Sequence, residues 1–172
     1  PAAAPTNTLE PAIEATAFAA AVLSAPPELI ETSTAPDGSA SAELWTAPCG
    51  TVAGFEAYGP VGHDEIRWRP NSASDPILVA QQIRVCQGLG AFGLRVLQWS
   101  ADSRYLFYTD AAQGSPDGGG CTWFGRVLRW DTLERAAVSL GNGATSPDGN
   151  WVAGVDGADL TIWSWNSDAV KR

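Results

Sequence analysis

His63 is the only histidine in the chain, so any Ser-His-Asp or Cys-His arrangement would have to use it. It stands in Gly62-His63-Asp64 with no nucleophile motif beside it, and no G-x-S-x-G elbow occurs anywhere. The expectation is an exposed histidine in a Gly/Pro-flanked loop. One His and three scattered Cys lack the paired spacing from which a zinc site draws its ligands. Asp110, Asp117, Asp156 and Asp159 lie in Gly-rich stretches whose oxygens could take calcium, but they do not form the spaced ladder of an EF-hand loop. Turn chemistry is the preferred reading for them. No catalytic residue, cofactor or metal ligand is therefore expected. The cysteines Cys49, Cys86 and Cys121 leave an odd thiol if one disulfide forms. Trp123 follows the run Gly118-Gly119-Gly120. Because Trp is favoured in binding surfaces, Gly118, Gly119, Gly120 and Trp123 make a candidate partner-binding loop.

Bulk properties narrow the function classes. The chain has 172 residues, 45% of them hydrophobic, enough for one sizeable core. Its net charge of −9 argues against a nucleic-acid partner, since phosphate binding needs a basic face. No Lys or Arg precedes Arg67, whereas Glu10, Glu14, Glu28, Glu31, Glu43, Glu56 and others do, so an anionic membrane surface is also disfavoured. The longest apolar run, Ala17 to Leu23, is too short to span a bilayer. With no Met in the chain, a processed mature protein or an excerpt of something longer is expected. A single Lys (Lys171), 18 Gly, 12 Pro and the cysteines lean toward an extracytoplasmic setting, periplasmic or cell-surface, where a lipid anchor upstream of Pro1 is one means of attachment.

The elements that would position these residues change character along the chain. Pro1 to Asn7 reads as a flexible tether. Thr8 to Ser24 has helix composition, with Thr8 able to cap and Pro11 in the first turn, and a short docked helix or a linker follows from it. Pro26 and Pro27 end it. Beyond them come short β-type runs broken by Gly, Pro, Asn and Asp. Two signatures recur. One is a turn: TAPDGSA at Thr34 to Ala40, SADSRYL at Ser100 to Leu106, SPDGNWV at Ser146 to Val152. The other is a later strand carrying a Trp, aligned on Trp68, Trp130 and Trp165. The Gly-rich stretch Ala111 to Cys121 is an insertion between strands two and three of the second copy, where a repeat framework tolerates it.

Three copies of a four-stranded unit follow, and the strings SPDGNWVAGV, SADSRYLFYTD and LRWDT resemble WD-repeat and TolB-like propeller repeats. The resemblance covers roughly Leu29 to the end. Copy one departs from it with Ala35-Pro36 in place of Ser, copy two with Ser103 for Gly, and only Trp130 is followed by Asp (Asp131). It implies an all-β fold of propeller-type blades, each of four antiparallel strands, in an incomplete ring with a short N-terminal helix or linker. The implied divisions are 1–27 (tether and helix), 28–85, 86–140 and 141–172 (the last truncated). Propellers close with more blades than three, so the rest of the ring or another chain must cover the strand edges. Blade topology also opens the loops holding Cys49, Cys86 and Cys121 on one face. Cys86–Cys121 is the expected bridge, with Cys49–Cys86 and free thiols as alternatives. The implied function is a non-catalytic, extracytoplasmic scaffold or protein-binding module. The propeller portion of a hydrolase whose catalytic domain lies elsewhere, and an accessory subunit of a membrane-associated complex, are the other two readings.

Overall fold

Alternation along β2 and β3 sets the apolar face of the first sheet. The computed structural model describes residues 10–72, 75–87, 93–113, 123–124, 126–146, 151–156, 159–164 and 170–171. Strands β1 (Glu28–Thr34), β2 (Ala40–Thr46), β3 (Val61–Pro70) and β4 (Ile77–Val85) pair antiparallel in chain order. Side chains point to opposite faces every second residue. Ala40, Ala42 and Leu44 of β2 therefore share one face with Ile66 and Trp68 of β3, which lie opposite Leu44 and Ala42. Ser41, Glu43 and Trp45, with His63, Glu65, Arg67 and Arg69, take the other face.

A second antiparallel sheet follows with order β5 (Gly93–Trp99), β6 (Tyr105–Gln113), β8 (Arg126–Asp131) and β9 (Ala136–Thr145), while β7 (Trp123–Phe124) extends the far end of β6. Its Leu94, Trp99, Leu106, Tyr108 and Trp130 meet the apolar face of the first sheet in one buried core. The fold is thus all-β, built of stacked four-stranded antiparallel sheets that do not close on themselves. The third unit begins without a break. The early part of β9 pairs with β8, and Gly143 to Thr145 pair with β10 (Trp151–Asp156), which pairs in turn with β11 (Asp159–Ser164). β12 (Val170–Lys171) joins β11. The opposite face of the second sheet buries Phe107 against Leu97, Tyr105 and Leu140.

The repeated turn is closed by the same backbone bond each time: Ala35 N–H to Ala40 O (2.9 Å), Ser100 N–H to Tyr105 O (2.8 Å) and Ser146 N–H to Trp151 O (2.9 Å). Ser100 Oγ and Ser146 Oγ also accept the N–H of Tyr105 and Trp151, at 2.9 and 3.0 Å. Ala35 has no hydroxyl, so the first turn forms without that bond. Gly38 and Ser103 hold the left-handed position, with φ of 72° and 61°.

This shared bond corrects the Trp alignment. Position by position, Ser41, Leu106 and Val152 lie opposite Arg69, Trp130 and Trp163. Trp130 corresponds to Trp163 and not to Trp165, which lies outside the described residues, and Trp68 sits one place earlier. The reason is geometric. A one-residue offset reverses the face a strand residue occupies, and Trp68 and Trp130 must point toward each other from neighbouring sheets to share a core.

The helix α1 (Glu10–Leu23) docks at the outer face of the first sheet. Val22 is buried there, and Phe18 stacks on Tyr58 at 4.4 Å and tilts against Phe55 at 5.4 Å. Among the described residues no helix is long and apolar enough to cross a membrane.

Candidate functional site

Two features of the first sheet stand out chemically, one at the end of the sheet opposite the repeated turns and one on its outer face. At that end the chain leaves β2 through Ala47, whose N–H donates to His63 O at 2.8 Å. Gly50 and Val61 then exchange both backbone bonds at 2.9 Å, which holds Cys49 at an exposed tip. Cys86, just past β4, donates its N–H to Pro60 O at 3.0 Å. Cys49 and Cys86 are joined by a disulfide.

Cys86 is therefore bonded to Cys49 and not to Cys121. The connection after β2 and the chain leaving β4 emerge side by side on the two flanks of β3, within disulfide reach. Cys121 and the glycines Gly118, Gly119 and Gly120 lie outside the described residues. Trp123 opens β7 and pairs with Gln113, so the strand extension leaves the second sheet at the end where Gly93 pairs with Ala112.

Arg84 organises this end. Its Nε donates to Asp64 Oδ1 at 3.0 Å, its Nη2 to Ala47 O at 3.0 Å, and its Nη1 approaches Cys49 Sγ at 3.1 Å and Cys86 Sγ at 3.6 Å. Asp64 Oδ2 accepts the N–H of Leu94 at 3.1 Å, which ties the first strand of the second sheet to the same cluster. Two glycines make room. A Cβ on Gly62, which pairs with Arg84 across the strands, would lie 2.6 Å from Ala47 O, and one on Gly93 would lie 2.6 Å from Asp64 Oδ2. Arg84 and Asp64 escape a search by motif because they come from different strands. The signal available was the i, i+2 spacing of Arg84 and Cys86, which puts both side chains on one face.

The outer face carries a charged ladder. Arg69 Nε donates to Glu43 Oε1 at 2.6 Å and Trp45 Nε1 to Glu43 Oε2 at 3.0 Å. Arg67 Nε donates to Glu65 Oε2 at 2.7 Å and Gln81 Nε2 to Glu65 Oε1 at 2.9 Å, while the Arg67 guanidinium lies 4.5 Å from the centre of the Trp45 ring. The Arg69 guanidinium, opposed by burial, holds the Glu43 carboxyl below its ordinary value. Burial pushes Glu65 up, but the hydrogen bonds from Arg67 and Gln81 outweigh it and leave that carboxyl low as well. Both are anions near neutral pH with their acceptor capacity largely used.

His63 lies on this face, and it corrects the expectation of an exposed loop histidine. Gly62 and His63 belong to β3, and the ring is fully buried (0% exposed) under the end of α1. Its Nδ1 is 3.1 Å from Val22 O, and its Nε2 is 3.3 Å from Glu65 Oε1 without the alignment of a hydrogen bond. A ring so enclosed is placed to anchor the helix. Asp110 is engaged by Arg126, whose Nε donates at 2.8 Å. Asp156 and Asp159 pair across the β10–β11 turn, and Asp117 is outside the described residues. Among the described residues no three His, Cys, Asp or Glu are grouped to hold a metal.

Both β1 and β5 are edge strands, yet an apolar residue at the same place on each differs sharply in exposure. Among the described residues β1 pairs with β2 on one side and has no strand on the other. Leu29 is 48% exposed and Ile30, at a bulge, 62%. Leu94 stands at the same distance before its turn in the second sheet and is 4% exposed, covered by the first sheet. No protein-family model matches the chain, and no curated protein matches it in sequence.

Proposed function

We propose that this chain is a non-catalytic, extracytoplasmic scaffold of the propeller type, resembling WD and TolB-like repeats, that binds a protein partner along the free edge of β1. The observation that carries this reading is the side of β1 left without a strand partner among the described residues, with Leu29 and Ile30 exposed beside it. Leu94, at the same distance before its turn, is buried by the face of the first sheet, whereas no described element covers Leu29. An unpaired edge with exposed aliphatic side chains is a template for strand addition: the partner's backbone supplies the missing hydrogen bonds and its side chains cover Leu29 and Ile30. The outer face is a poorer docking surface for an apolar partner, because its Glu and Arg side chains already satisfy one another. The Cys49–Cys86 disulfide supports an oxidising compartment.

The test is site-specific photocrosslinking in the native host with the probe placed at Ile30. The reading predicts a discrete covalent adduct with one protein, lost when Thr32→Pro disrupts the edge strand. Absence of an adduct at Ile30, alongside a strong adduct from a probe at Arg69 on the charged face, contradicts it.

A further inference from the structure

We propose that Cys49–Cys86 is a reversible thiol-exchange site, in which a low-molecular-weight thiol attacks Cys49 and Cys86 departs as a thiolate held by Arg84. The inference is independent of the partner reading above and rests on three observations at the disulfide end of the first sheet. First, Cys49 is at an exposed tip whereas Cys86 is half-buried, so an incoming thiolate reaches Cys49 Sγ more readily. Second, the Arg84 guanidinium lies 3.1 Å from Cys49 Sγ and 3.6 Å from Cys86 Sγ, close enough to either sulfur to stabilise the one that departs, and it is held there by Asp64 and Ala47 O, neither of which belongs to the disulfide. Cationic groups beside a cysteine favour its thiolate, and a stabilised thiolate is a better leaving group. Asp64, on the far side of Arg84, is the counter-charge that moderates the effect and also fixes the orientation of the guanidinium.

Third, the two cysteines stay close without the covalent bond. The paired backbone bonds between Gly50 and Val61, together with Ala47 to His63 and Cys86 to Pro60, hold both segments against β3. Opening is therefore local, and reclosure needs no refolding.

The external thiolate sulfur bonds to Cys49 Sγ, the Cys49–Cys86 bond breaks, and its electron pair goes to Cys86 Sγ. One disulfide is exchanged for another with no net redox change. A second external thiolate then attacks the external sulfur of the mixed disulfide, releasing Cys49 as a thiolate. The two small thiols leave as their own disulfide, and the protein disulfide has gained two electrons.

The experiment treats the folded protein with reduced glutathione at neutral pH, quenches with acid and locates adducts by peptide mass spectrometry, for the wild type, Arg84→Lys and Arg84→Gln. The wild type is expected to give a glutathione adduct at Cys49 in preference to Cys86. Opening should be several-fold slower in Arg84→Gln and nearer the wild-type rate in Arg84→Lys, which keeps the charge. Thiolate absorbance of the reduced Cys121→Ser protein, whose only thiols are Cys49 and Cys86, titrated while near-UV circular dichroism reports an intact fold, gives a readout that does not depend on the Arg84 variants folding. At least one thiol should ionise below the ordinary value of about 8.5. A bond that resists glutathione in the native state, adducts shared equally by both cysteines, or two thiols ionising at the ordinary value would each overturn the proposal.

Discussion

Ser103 shows how a single residue joins two repeats. It occupies the left-handed position that Gly38 fills in the first turn, at a φ of 61°, where a side chain costs on the order of 1 kcal/mol. Its Oγ accepts the N–H of Asp37 at 3.0 Å, so the turn of one repeat is bonded to the turn of the next. Ser103→Ala keeps the strained backbone and loses the bond, and should destabilise by about 1 kcal/mol in chemical denaturation. Ser103→Gly loses the bond but relieves the strain, and should be close to neutral. The departure of copy two from the Gly pattern was visible in the sequence, but its cause was not, because the partner lies in another repeat.

Asp131 couples the stability of the second repeat to pH. Burial pushes its carboxyl up, but Arg104 and the N–H groups of Leu133 and Glu134 outweigh that and hold it below the ordinary value of 3.8. A lowered carboxyl stabilises the fold above its unfolded-state value, and that contribution is lost as the pH falls through the folded-state value. The melting temperature should therefore drop steeply below about pH 4, and Asp131→Asn should flatten the drop while lowering stability at pH 7. An unchanged acid limb in the variant contradicts the assignment.

At the scale of elements, the register of β3 and β8 decides the core. Trp68 and Trp130 occupy adjacent registers so that each points at the other sheet, and both indole N–H groups are buried without an acceptor. Losing the N–H removes an unsatisfied polar group, so Trp130→Phe should cost far less than Trp130→Ala, for which about 3–5 kcal/mol is expected. Equal losses in urea unfolding would mean the indole N–H has a partner after all. The turns and the apolar alternation of β2 and β3 were legible because they are local patterns. The Trp register was not: in strands this short, Trp falls equally well on either face, and only the neighbouring sheet distinguishes them. The same limit applied to the disulfide, since sequence places Cys49, Cys86 and Cys121 near one face but not at bonding distance. Likewise, the Gly/Pro flanks of His63 suggested a loop, whereas pairing with β4 on one side and Ala47 on the other extends β3 through it.

At the scale of the molecule, the two sheets are repeats that present unlike outer surfaces. Ser41, Glu43, Arg67 and Arg69 stand where the second sheet has Leu106, Tyr108, Leu128 and Trp130. The second sheet's set is covered by the first sheet. The first sheet's set is a self-paired charged face, joined at one end by α1, and any sheet seated on it must meet it with polar groups, as on the capping units of repeat proteins. Beside this charged face, Leu29 and Ile30 form an exposed apolar segment at the β1 edge. Burial also pushes the Tyr108 hydroxyl up to about 12. A raised tyrosine stabilises the fold below its unfolded-state value and is lost as pH climbs through the folded one. Alkaline unfolding between about pH 10 and 12 should thus be weakened in Tyr108→Phe, as followed by circular dichroism.

The most direct test of the edge-binding account is hydrogen–deuterium exchange on the chain alone and in the assembly purified with it from its native host. The account predicts rapid exchange of the outward-pointing amides between Leu29 and Thr32 in the isolated chain and their strong protection in the assembly, with the β2 and β3 ladders unchanged. Equal exchange of β1 in both states would contradict it.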